Sequence, residues 1–303
     1  MKKLLNIIKN PKIIIVKILN SMHFLPDRIY LRIRYFLEFD KKLDLENPKT
    51  FNEKLNWLKI NNRNPEYNKL VDKYLVRDYI ADTIGEEYLI PLLGVWDSFD
   101  EIDFGSLPEQ FVLKCTHDSG SVVICRDKKT FDYASARKKI ENKLKKNMYW
   151  WAREWVYKNL EPRIIAEQYM EDSSTAELRD YKFFAFNGEV KMIFVASDRQ
   201  NSNEETKFDF FDMEYNHLDF THGHPNAKII PKKPEQFDKM RELAEILSKG
   251  FPHVRVDFYC VEGKIYFGEI TFYHNAGLVP FEPEEWDLKL GDLIDLDEAC
   301  QKE

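Results

Sequence analysis

Two acidic residues, Asp257 and Glu269, stand 12 positions apart in segments that otherwise have the composition of buried strands. The segments read Val-Arg-Val-Asp-Phe and Tyr-Phe-Gly-Glu-Ile, with a Glu262-Gly263 turn between them. A hairpin would bring both carboxylates to one face, with Thr271 on the same side. Two oxygen ligands on strands, completed by water and phosphate oxygens, are how Mg²⁺ is usually held in phosphoryl-transfer sites. The competing interpretation is a pair of acids on a solvated strand face, but an acid in apolar surroundings needs a partner.

Lys114 supplies the complementary positive charge, near the end of the apolar run 111–115. The loop Thr-His-Asp-Ser-Gly-Ser follows at 116–121 and leads into a second β-rich run at 122–125. Its backbone N–H groups could cradle a polyphosphate, although a loop of this composition is more often only a turn. The order of lysine, small loop and later carboxylate pair favours a phosphate-binding site.

Turn signals and apolar periodicity predict the elements that position these groups. Thr50 stands three residues before Glu53, which predicts a capping box and a helix through Ile60. Further helices are predicted at 67–84, 133–160 and 234–250, and strands at 88–96, 163–170, 180–186 and 189–196. With hairpins at 111–125 and 254–270, the predicted class is α+β with mostly antiparallel sheets.

Composition limits the function classes. The chain has 303 residues, with 45 Lys and Arg against 52 Asp and Glu, a net charge of −7. This argues against wholesale nucleic-acid binding, because a basic face is needed to displace counterions from phosphates. The four cysteines include no C-x-x-C pair, so neither a zinc site nor a disulfide framework is indicated, and a reducing cytoplasm is the natural location.

Charge is concentrated at the N-terminus, where residues 1–40 hold eight Lys and Arg but three acids. Lys9, Lys12 and Lys17 interrupt the apolar run, so neither a signal peptide nor a transmembrane helix is predicted. The segment is expected to be basic, amphipathic and helical. It would either lie on an anionic membrane surface or pack its apolar stripe on the body of the protein, and packing is favoured.

Two further features concern an acceptor molecule. Basic residues at 137–139, 143, 145 and 146 lead into the aromatic residues of 148–151 and Trp155. This segment could guide an anionic glycan or contact a membrane, but a charged helix with its tryptophans in the core is the favoured interpretation. His274, Asn275 and Gly277, just past Glu269, could line a reacting centre or simply form a turn.

A series of different short motifs is distributed along most of the chain: Phe51-Asn-Glu-Lys-Leu-Asn-Trp-Leu-Lys59, Asp72-Lys73-Tyr, Leu107-Pro-Glu-Gln-Phe-Val-Leu-Lys114, His117-Asp-Ser-Gly120, Ala166-Glu-Gln-Tyr-Met170, Arg179-Asp-Tyr-Lys182, Phe186-Asn-Gly188, Arg255-Val-Asp257 and Gly268-Glu-Ile-Thr271. In order and spacing they resemble the TupA-like branch of the ATP-grasp superfamily, found among bacterial cell-surface polysaccharide genes. The resemblance implies an ATP-grasp fold, in which two α+β subdomains with antiparallel sheets clamp ATP behind a helical N-terminal region. The expected boundaries are 1–45 for the basic helical segment, 46–108 for a helical and strand region, 109–170 for the subdomain with the phosphate lid, and 171–303 for the subdomain with the metal-binding hairpin.

The resemblance also implies roles for particular residues. Lys114 and Lys73 would contact the nucleotide phosphates, and the catalytic residues would be Arg255, steadying an acyl phosphate, and Lys114. The expected lid residues are His117, Ser119, Gly120 and Ser121, and the adenine hinge is Glu167, Gln168, Tyr169 and Met170. Asp180 and Lys182 would contact ribose and phosphate, and Mg²⁺ would be bound by Asp257, Glu269 and Thr271. Many ATP-grasp enzymes have asparagine where this chain has Thr271.

The implied function is an ATP- and Mg²⁺-dependent carboxylate–amine ligase of capsular or teichuronic-type surface polysaccharide biosynthesis. Its partners would be ATP, a carboxylate-bearing sugar or amino acid, and an amine donor. One alternative is a glycosyltransferase, for which Asp209-Phe-Phe-Asp212 or Asp295-Leu-Asp297 would be the acidic metal motif. Another is a non-catalytic, membrane-proximal assembly factor. The expected location is the cytoplasm, at the inner face of the plasma membrane if residues 1–40 contact lipid.

Overall fold

Two antiparallel sheets form the frame of the protein, whose computed structural model describes residues 11–172, 178–197 and 205–297. The first sheet has the order β1-β4-β2-β3 and consists of β1 (Leu92–Trp96), β2 (Phe111–Cys115), β3 (Val123–Cys125) and β4 (Ile164–Gln168). The second has the order β10-β9-β5-β6-β7 and consists of β5 (Asp180–Phe186), β6 (Glu189–Ser197), β7 (Lys207–Phe211), β9 (His253–Val261) and β10 (Lys264–Thr271). A short pair is formed by β8 (Thr221–His222) and β11 (Phe281–Glu282). Strand β1, from the predicted 46–108 region, therefore pairs into the first sheet.

Helices surround these sheets. They are α1 (Pro11–Ser21), α2 (Asp27–Phe39), α3 (Phe51–Asn61), α4 (Glu66–Val71), α5 (Val76–Thr83), α6 (Tyr133–Leu144), α7 (Tyr149–Ala152), α8 (Phe237–Leu247) and α9 (Glu285–Gly291). Single 3₁₀ turns occur at Glu86–Tyr88, Phe99–Glu101, Trp155–Tyr157 and His274–Gly277. In the described residues, no helix is both long and apolar enough to cross a membrane.

Helix α3 begins where the sequence predicts. The Thr50 hydroxyl accepts the backbone N–H of Glu53, and the Glu53 carboxylate accepts the backbone N–H of Thr50 in return. Two otherwise unpaired N–H groups are thereby satisfied, which fixes the start of the helix.

Two of the predicted long helices are broken. The helix expected at 67–84 is α4 and α5, because the Asp72 carboxylate accepts the backbone N–H groups of Tyr74 and Leu75, each at 2.9 Å, and holds the turn between the two helices. The helix expected at 133–160 ends at Leu144, and Arg153, with φ of 54°, ends α7. Of the tryptophans expected in the core, Trp151 is 49% exposed.

The predicted hairpins are confirmed. Asn187 and Gly188 adopt positive φ between β5 and β6, and Glu262 and Gly263 do the same between β9 and β10. In the second hairpin a bulge lies next to Gly268, where a Cβ would stand 3.0 Å from the backbone oxygen of Asp257. Beyond the bulge, Glu269 is directly opposite Asp257, so the turn and the bulge together set the carboxylate pair.

The predicted packing of the N-terminal segment is confirmed for one of its faces. A separate core consists of Leu19, Tyr30, Leu31, Tyr35, Leu43 and Leu45. The larger core lies around the second sheet, and another lies beneath the first sheet. Lys2, Lys3 and Lys9 of the predicted basic segment, and Cys300, lie outside the described residues.

Candidate active site

A cavity between the two sheets gathers eight of the sixteen predicted site residues, among them Glu269 but not the buried Asp257. Three lysines, Lys73, Lys114 and Lys182, line it from three different elements. The acids and lid residues on its wall are Asp118, Ser119, Gly120, Glu167, Asp180 and Glu269. Lysines converging on one cavity next to carboxylates form a site suited to a polyanion and a divalent cation.

The floor of the cavity belongs to the first sheet. Lys114 on β2 donates to the carboxylate of Glu167 on β4, with 2.5 Å between Nζ and Oε2. Arg77 on α5 stands 3.5 Å from the other carboxylate oxygen and donates to the backbone oxygen of Ile90. Burial lowers the pKa of Arg77, but Glu167 opposes this, so the guanidinium stays charged beside its partner.

An adjoining cavity is more apolar and lies along the end of β4. Its wall includes the predicted hinge residues Glu167, Gln168, Tyr169 and Met170. The other contacts are mostly apolar: Ile90, Val112, Val122, Ile124, Leu178 and Tyr259. A slot with apolar walls and one strand edge is suited to a planar heteroaromatic ring, which needs stacking surface and a few backbone hydrogen bonds.

Lysines hold the lid loop, residues 117–121, from both sides. Lys73 donates to the backbone oxygen of Asp118, and Lys143 donates to that of Ser119 at 2.8 Å. Burial lowers the pKa of Lys73, although Glu269 and Asp118 raise it. Lys73 follows the extended residue Asp72 and lies in the turn between two helices.

Two predicted lid residues do not face the cavity. The buried imidazole of His117 makes its contact with the backbone oxygen of Lys146 at 3.0 Å, and burial lowers its pKa. The hydroxyl of Ser121 accepts the backbone N–H of Cys115 at 2.7 Å. Both residues fix the base of the loop, whereas Ser119 and Gly120 lie at its open side.

The carboxylate pair is cross-linked by cations. Arg255 donates from Nε to Asp257 at 2.7 Å, and its Nη2 stands 2.8 Å from one oxygen of Asp257 and 2.8 Å from one oxygen of Glu269. Lys182, opposite Asp257 in the sheet, donates to that carboxylate and lies 3.3 Å from Asp180. Three carboxylates and two cations thus share the centre of the second sheet.

The two carboxylates have different environments. Asp257 is fully buried, and burial raises its pKa despite the opposing effect of Arg255 and Lys182. The side chain of Glu269 is 44% exposed. For Glu269 burial alone would raise the pKa, but Lys182, Arg255 and Lys73 outweigh it and lower the pKa to about 2. Glu269 is therefore the carboxylate of the pair that lines the cavity, and its charged form is the favoured one.

These donors suit Mg²⁺, because two carboxylates that share one guanidinium nitrogen can also share one metal ion. Mg²⁺ commonly takes one or two protein carboxylates and completes its shell with phosphate oxygens and water. Within the described residues, no group of three or more His, Cys, Asp or Glu side chains is placed to hold a metal ion by itself. Thr271 lies on the same face of β10 as Glu269, and its hydroxyl is 3.4 Å from the Glu269 carboxylate.

A family model described as TupA-like ATPgrasp matches residues 53–295. The chain belongs to this family. Membership places it in the ATP-grasp ligase superfamily and identifies the two sheets and the cleft between them as an ATP-grasp fold, as expected. A search of curated protein sequences finds no match.

Solved structures offer partial likenesses. D-alanine–D-alanine ligase from Bacillus anthracis, complexed with ATP, is 14% identical with a TM-score of 0.40, over 67% of this chain and 55% of that one. A RimK domain ATP-grasp protein from Sphaerobacter thermophilus is 11% identical with a TM-score of 0.40, over 75% of this chain and 67% of that one. The ATP-grasp ligase PsnB, complexed with a precursor variant, Mg and ADP, is 9% identical with a TM-score of 0.43, over 81% of this chain and 65% of that one. The chain thus spans little more than half the length of the D-alanine–D-alanine ligase.

Some residues of this ATP-grasp site carry no sequence signal of their own. Arg77 and Tyr259 line the cavity but lie in unremarkable helix and strand segments. Arg255 also donates from Nη1 to His274 at 2.8 Å, and His274 contacts His222 at 3.1 Å, which in turn contacts the backbone oxygen of Val279. His274 was expected near the reacting centre, whereas only the fold brings His222 there from 52 residues away.

The motif on α3 holds the loop that follows β10. Asn52 donates to the backbone oxygen of Val279, Asn56 to that of Gly277, and the fully buried Lys59 to that of Ala276. Ala276 and its two neighbours all have positive φ, an arrangement that is held only by surrounding contacts. The α3 motif of this ATP-grasp chain thus positions the loop that carries His274.

The acidic motifs that suggested a glycosyltransferase are used locally. Asp209 is fully buried, accepts the backbone N–H of Ala227 and contacts His217. Asp212 accepts backbone N–H groups in its own turn, and Asp295 accepts the N–H of Asp297. These carboxylates stabilise loops.

Proposed function

We propose that this protein is an ATP- and Mg²⁺-dependent ligase that joins a carboxylate to an amine through an acyl phosphate. The observation that carries the proposal is the convergence of Lys73, Lys114 and Lys182 on one cavity beside the cation-bridged pair Asp257 and Glu269. Family membership supports ATP as the nucleotide.

The chemistry requires activation, because an amine cannot displace oxide from a carboxylate at neutral pH. In the first step a carboxylate oxygen attacks the γ-phosphorus of ATP, and the bond from that phosphorus to the bridging oxygen breaks, releasing ADP. In the second step the amine nitrogen attacks the acyl carbon, phosphate leaves with the former carboxylate oxygen, and the nitrogen loses a proton. No covalent enzyme nucleophile is needed.

The side chains have distinct parts in these steps. Lys114 and Lys73 would balance the phosphate charge, as their positions on the cavity allow. Mg²⁺, held by Asp257 and Glu269, would neutralise charge on the transferred phosphoryl group. Arg255, freed from part of its contact with Glu269, would steady the acyl phosphate. The apolar slot along Glu167 to Met170 would hold adenine, and Ser119 and Gly120 would close over the phosphates.

The substrates are proposed from the family resemblance. We propose a uronic acid or amino acid of a bacterial surface polysaccharide precursor as the carboxylate, acted on in the cytoplasm. Contact of residues 1–40 with a membrane is part of this proposal, and the surface that would make it is separate from the cavity.

The test is ADP release measured with a panel of carboxylates and amines. We expect Mg²⁺-dependent release that needs both substrates together, and a loss of at least about 100-fold in Asp257→Asn and Glu269→Gln. Glu242→Gln on the surface of α8 is the matched control and should keep full activity. Unchanged turnover in both site variants would refute the assignment. Binding of UDP-sugar instead of ATP would favour the glycosyltransferase, and no thermal shift with MgATP would favour the assembly factor.

A further inference from the structure

Helices α1 and α2 expose an unusual share of the protein's large apolar side chains. Among the described residues, eight of the sixteen exposed large hydrophobic residues lie between positions 13 and 36. We call the outer face the surface formed by Ile14, Ile18, Phe24, Ile29, Ile33 and Phe36. Phe24 is 79% exposed, Ile18 57% and Phe36 52%. A group of exposed apolar side chains on one short segment marks an interaction site more often than isolated exposed residues do.

The outer face is not the face that packs on the protein. In α2 the buried positions are Tyr30, Leu31, Arg34 and Tyr35. At about 100° per residue, Ile29, Ile33 and Phe36 project from the opposite side of the helix. The helix is therefore apolar on two sides, and its contact with the body accounts for only one of them.

Buried contacts hold the helix pair in one orientation. Arg153 is fully buried, stands 4.5 Å over the ring of Tyr30 and donates to the backbone oxygen of Met22. The Tyr30 hydroxyl donates to the backbone oxygen of Trp151 at 2.6 Å. The outer face is thus presented by a fixed element of the fold.

Basic side chains border the outer face. Lys17 and Arg32 are exposed, and Arg28 and Arg32 lie 2.7 Å and 3.5 Å from the carboxylate of Glu46. Such exposed pairs contribute little and can exchange a carboxylate for a phosphate. By sequence, residues 1–9 add three further lysines. A symmetric contact between two copies of the outer face would bring two basic borders together, which is unfavourable.

We propose that the outer face docks on an anionic lipid bilayer. Its apolar side chains would lie at the boundary between headgroups and acyl chains, and its Lys and Arg side chains would lie among the headgroup phosphates. An apolar stripe with a basic border is what interfacial helices present to membranes. The proposal makes specific the membrane contact that is included in the proposed function, and it does not depend on the ligase chemistry.

The test is co-sedimentation of the full chain with vesicles. We expect binding to phosphatidylcholine vesicles that contain phosphatidylglycerol, weaker binding to phosphatidylcholine alone, and a decrease with added salt. The variant Ile18→Ser/Ile29→Ser/Ile33→Ser should bind the anionic vesicles at least about tenfold more weakly. The matched control Ile229→Ser/Ile230→Ser changes two exposed isoleucines elsewhere, one of them 87% exposed, and should bind like the parent.

The outcomes separate the proposal from its competitors and from the ligase function. Equal vesicle binding by the triple variant and the parent would overturn it. Dimerisation of the parent without lipid, lost in the triple variant, would identify a second copy as the occupant and would also overturn it. The thermal shift with MgATP is read on the same variants and should not change, so failure of docking and failure of nucleotide binding are distinguishable.

Discussion

Lys59→Met tests how α3 controls the loop next to the carboxylate pair. Lys59 is fully buried, and its amine donates to the backbone oxygens of Ala276 at 2.6 Å and Ala152 at 3.1 Å, and to the side-chain oxygen of Asn56 at 3.2 Å. Methionine keeps the apolar stem of the side chain but cannot donate a hydrogen bond. The change therefore leaves three buried carbonyl oxygens, two of the backbone and one of the Asn56 side chain, without this donor.

The magnitude follows from those carbonyls. Each buried acceptor that loses its donor costs about 1–3 kcal/mol. Part of this cost is offset, because burying the charged Lys59 amine is itself unfavourable and methionine carries no charge. Burial accordingly lowers the pKa of Lys59, and Glu154 opposes this effect. We expect the free energy of unfolding to fall by about 2–4 kcal/mol at neutral pH.

The assay is urea denaturation followed by tryptophan fluorescence, with Lys69→Met as the matched control. Lys69 lies on the surface of α4, where it pairs only with the exposed Glu66 three residues earlier, so its loss should cost about 0.5 kcal/mol or less. If both variants unfold at the same urea concentration, α3 does not hold the loop in the way described.

Three other changes test separate parts of the structure. Burial lowers the pKa of His222 from 6.5 to about 4, so its stability contribution is complete above pH 6.5 and is lost as the pH falls towards 4. Between pH 7.5 and pH 5 the urea midpoint should fall, and His222 should account for a loss of about 2 kcal/mol in the free energy of unfolding. The midpoint of His222→Gln should fall less over the same range. Equal falls in the two proteins would contradict this. Gly277→Ala should cost about 1–3 kcal/mol, because φ is 56° and the new Cβ would lie 2.9 Å from that of Leu55; an unchanged midpoint would show that the loop can move. Lys114→Met should weaken ATP binding at least about tenfold by thermal shift, with Lys69→Met unchanged, and equal affinity would remove Lys114 from the phosphate site.

Sequence reasoning succeeded where the relation between residues is local. Asp257 and Glu269 are joined by one turn, which predicts that they lie close together, whereas their direct pairing also needs the bulge next to Gly268. The capping box at Thr50 is likewise a matter of three residues. Breaks inside the predicted helices were missed because periodicity persists across them: the Asp72 side chain holds a turn between α4 and α5 without interrupting the apolar spacing.

Contacts between distant segments were beyond this reasoning. Nothing near His222 indicates that it will meet His274, and nothing near Arg77 indicates Glu167. Such pairs are set by how the two sheets and α3 are arranged, which depends on the whole core. The family resemblance supplied the roles of residues such as Lys73, whose position between two short helices has no pattern of its own.

The N-terminal helices show why the two interpretations of their sequence are not exclusive. Apolar spacing predicts which positions of a helix are apolar. A single apolar stripe, however, can pack against only one partner surface. In α2, Tyr30 and Leu31 are buried while Ile29 and Ile33 are exposed, so the pattern contains two stripes on opposite sides. A helix that only packed on the body would gain from polar residues at Ile29 and Ile33. Packing on the inside and docking on the outside therefore explain different residues of the same helix, and only the second explains why its outer side is apolar.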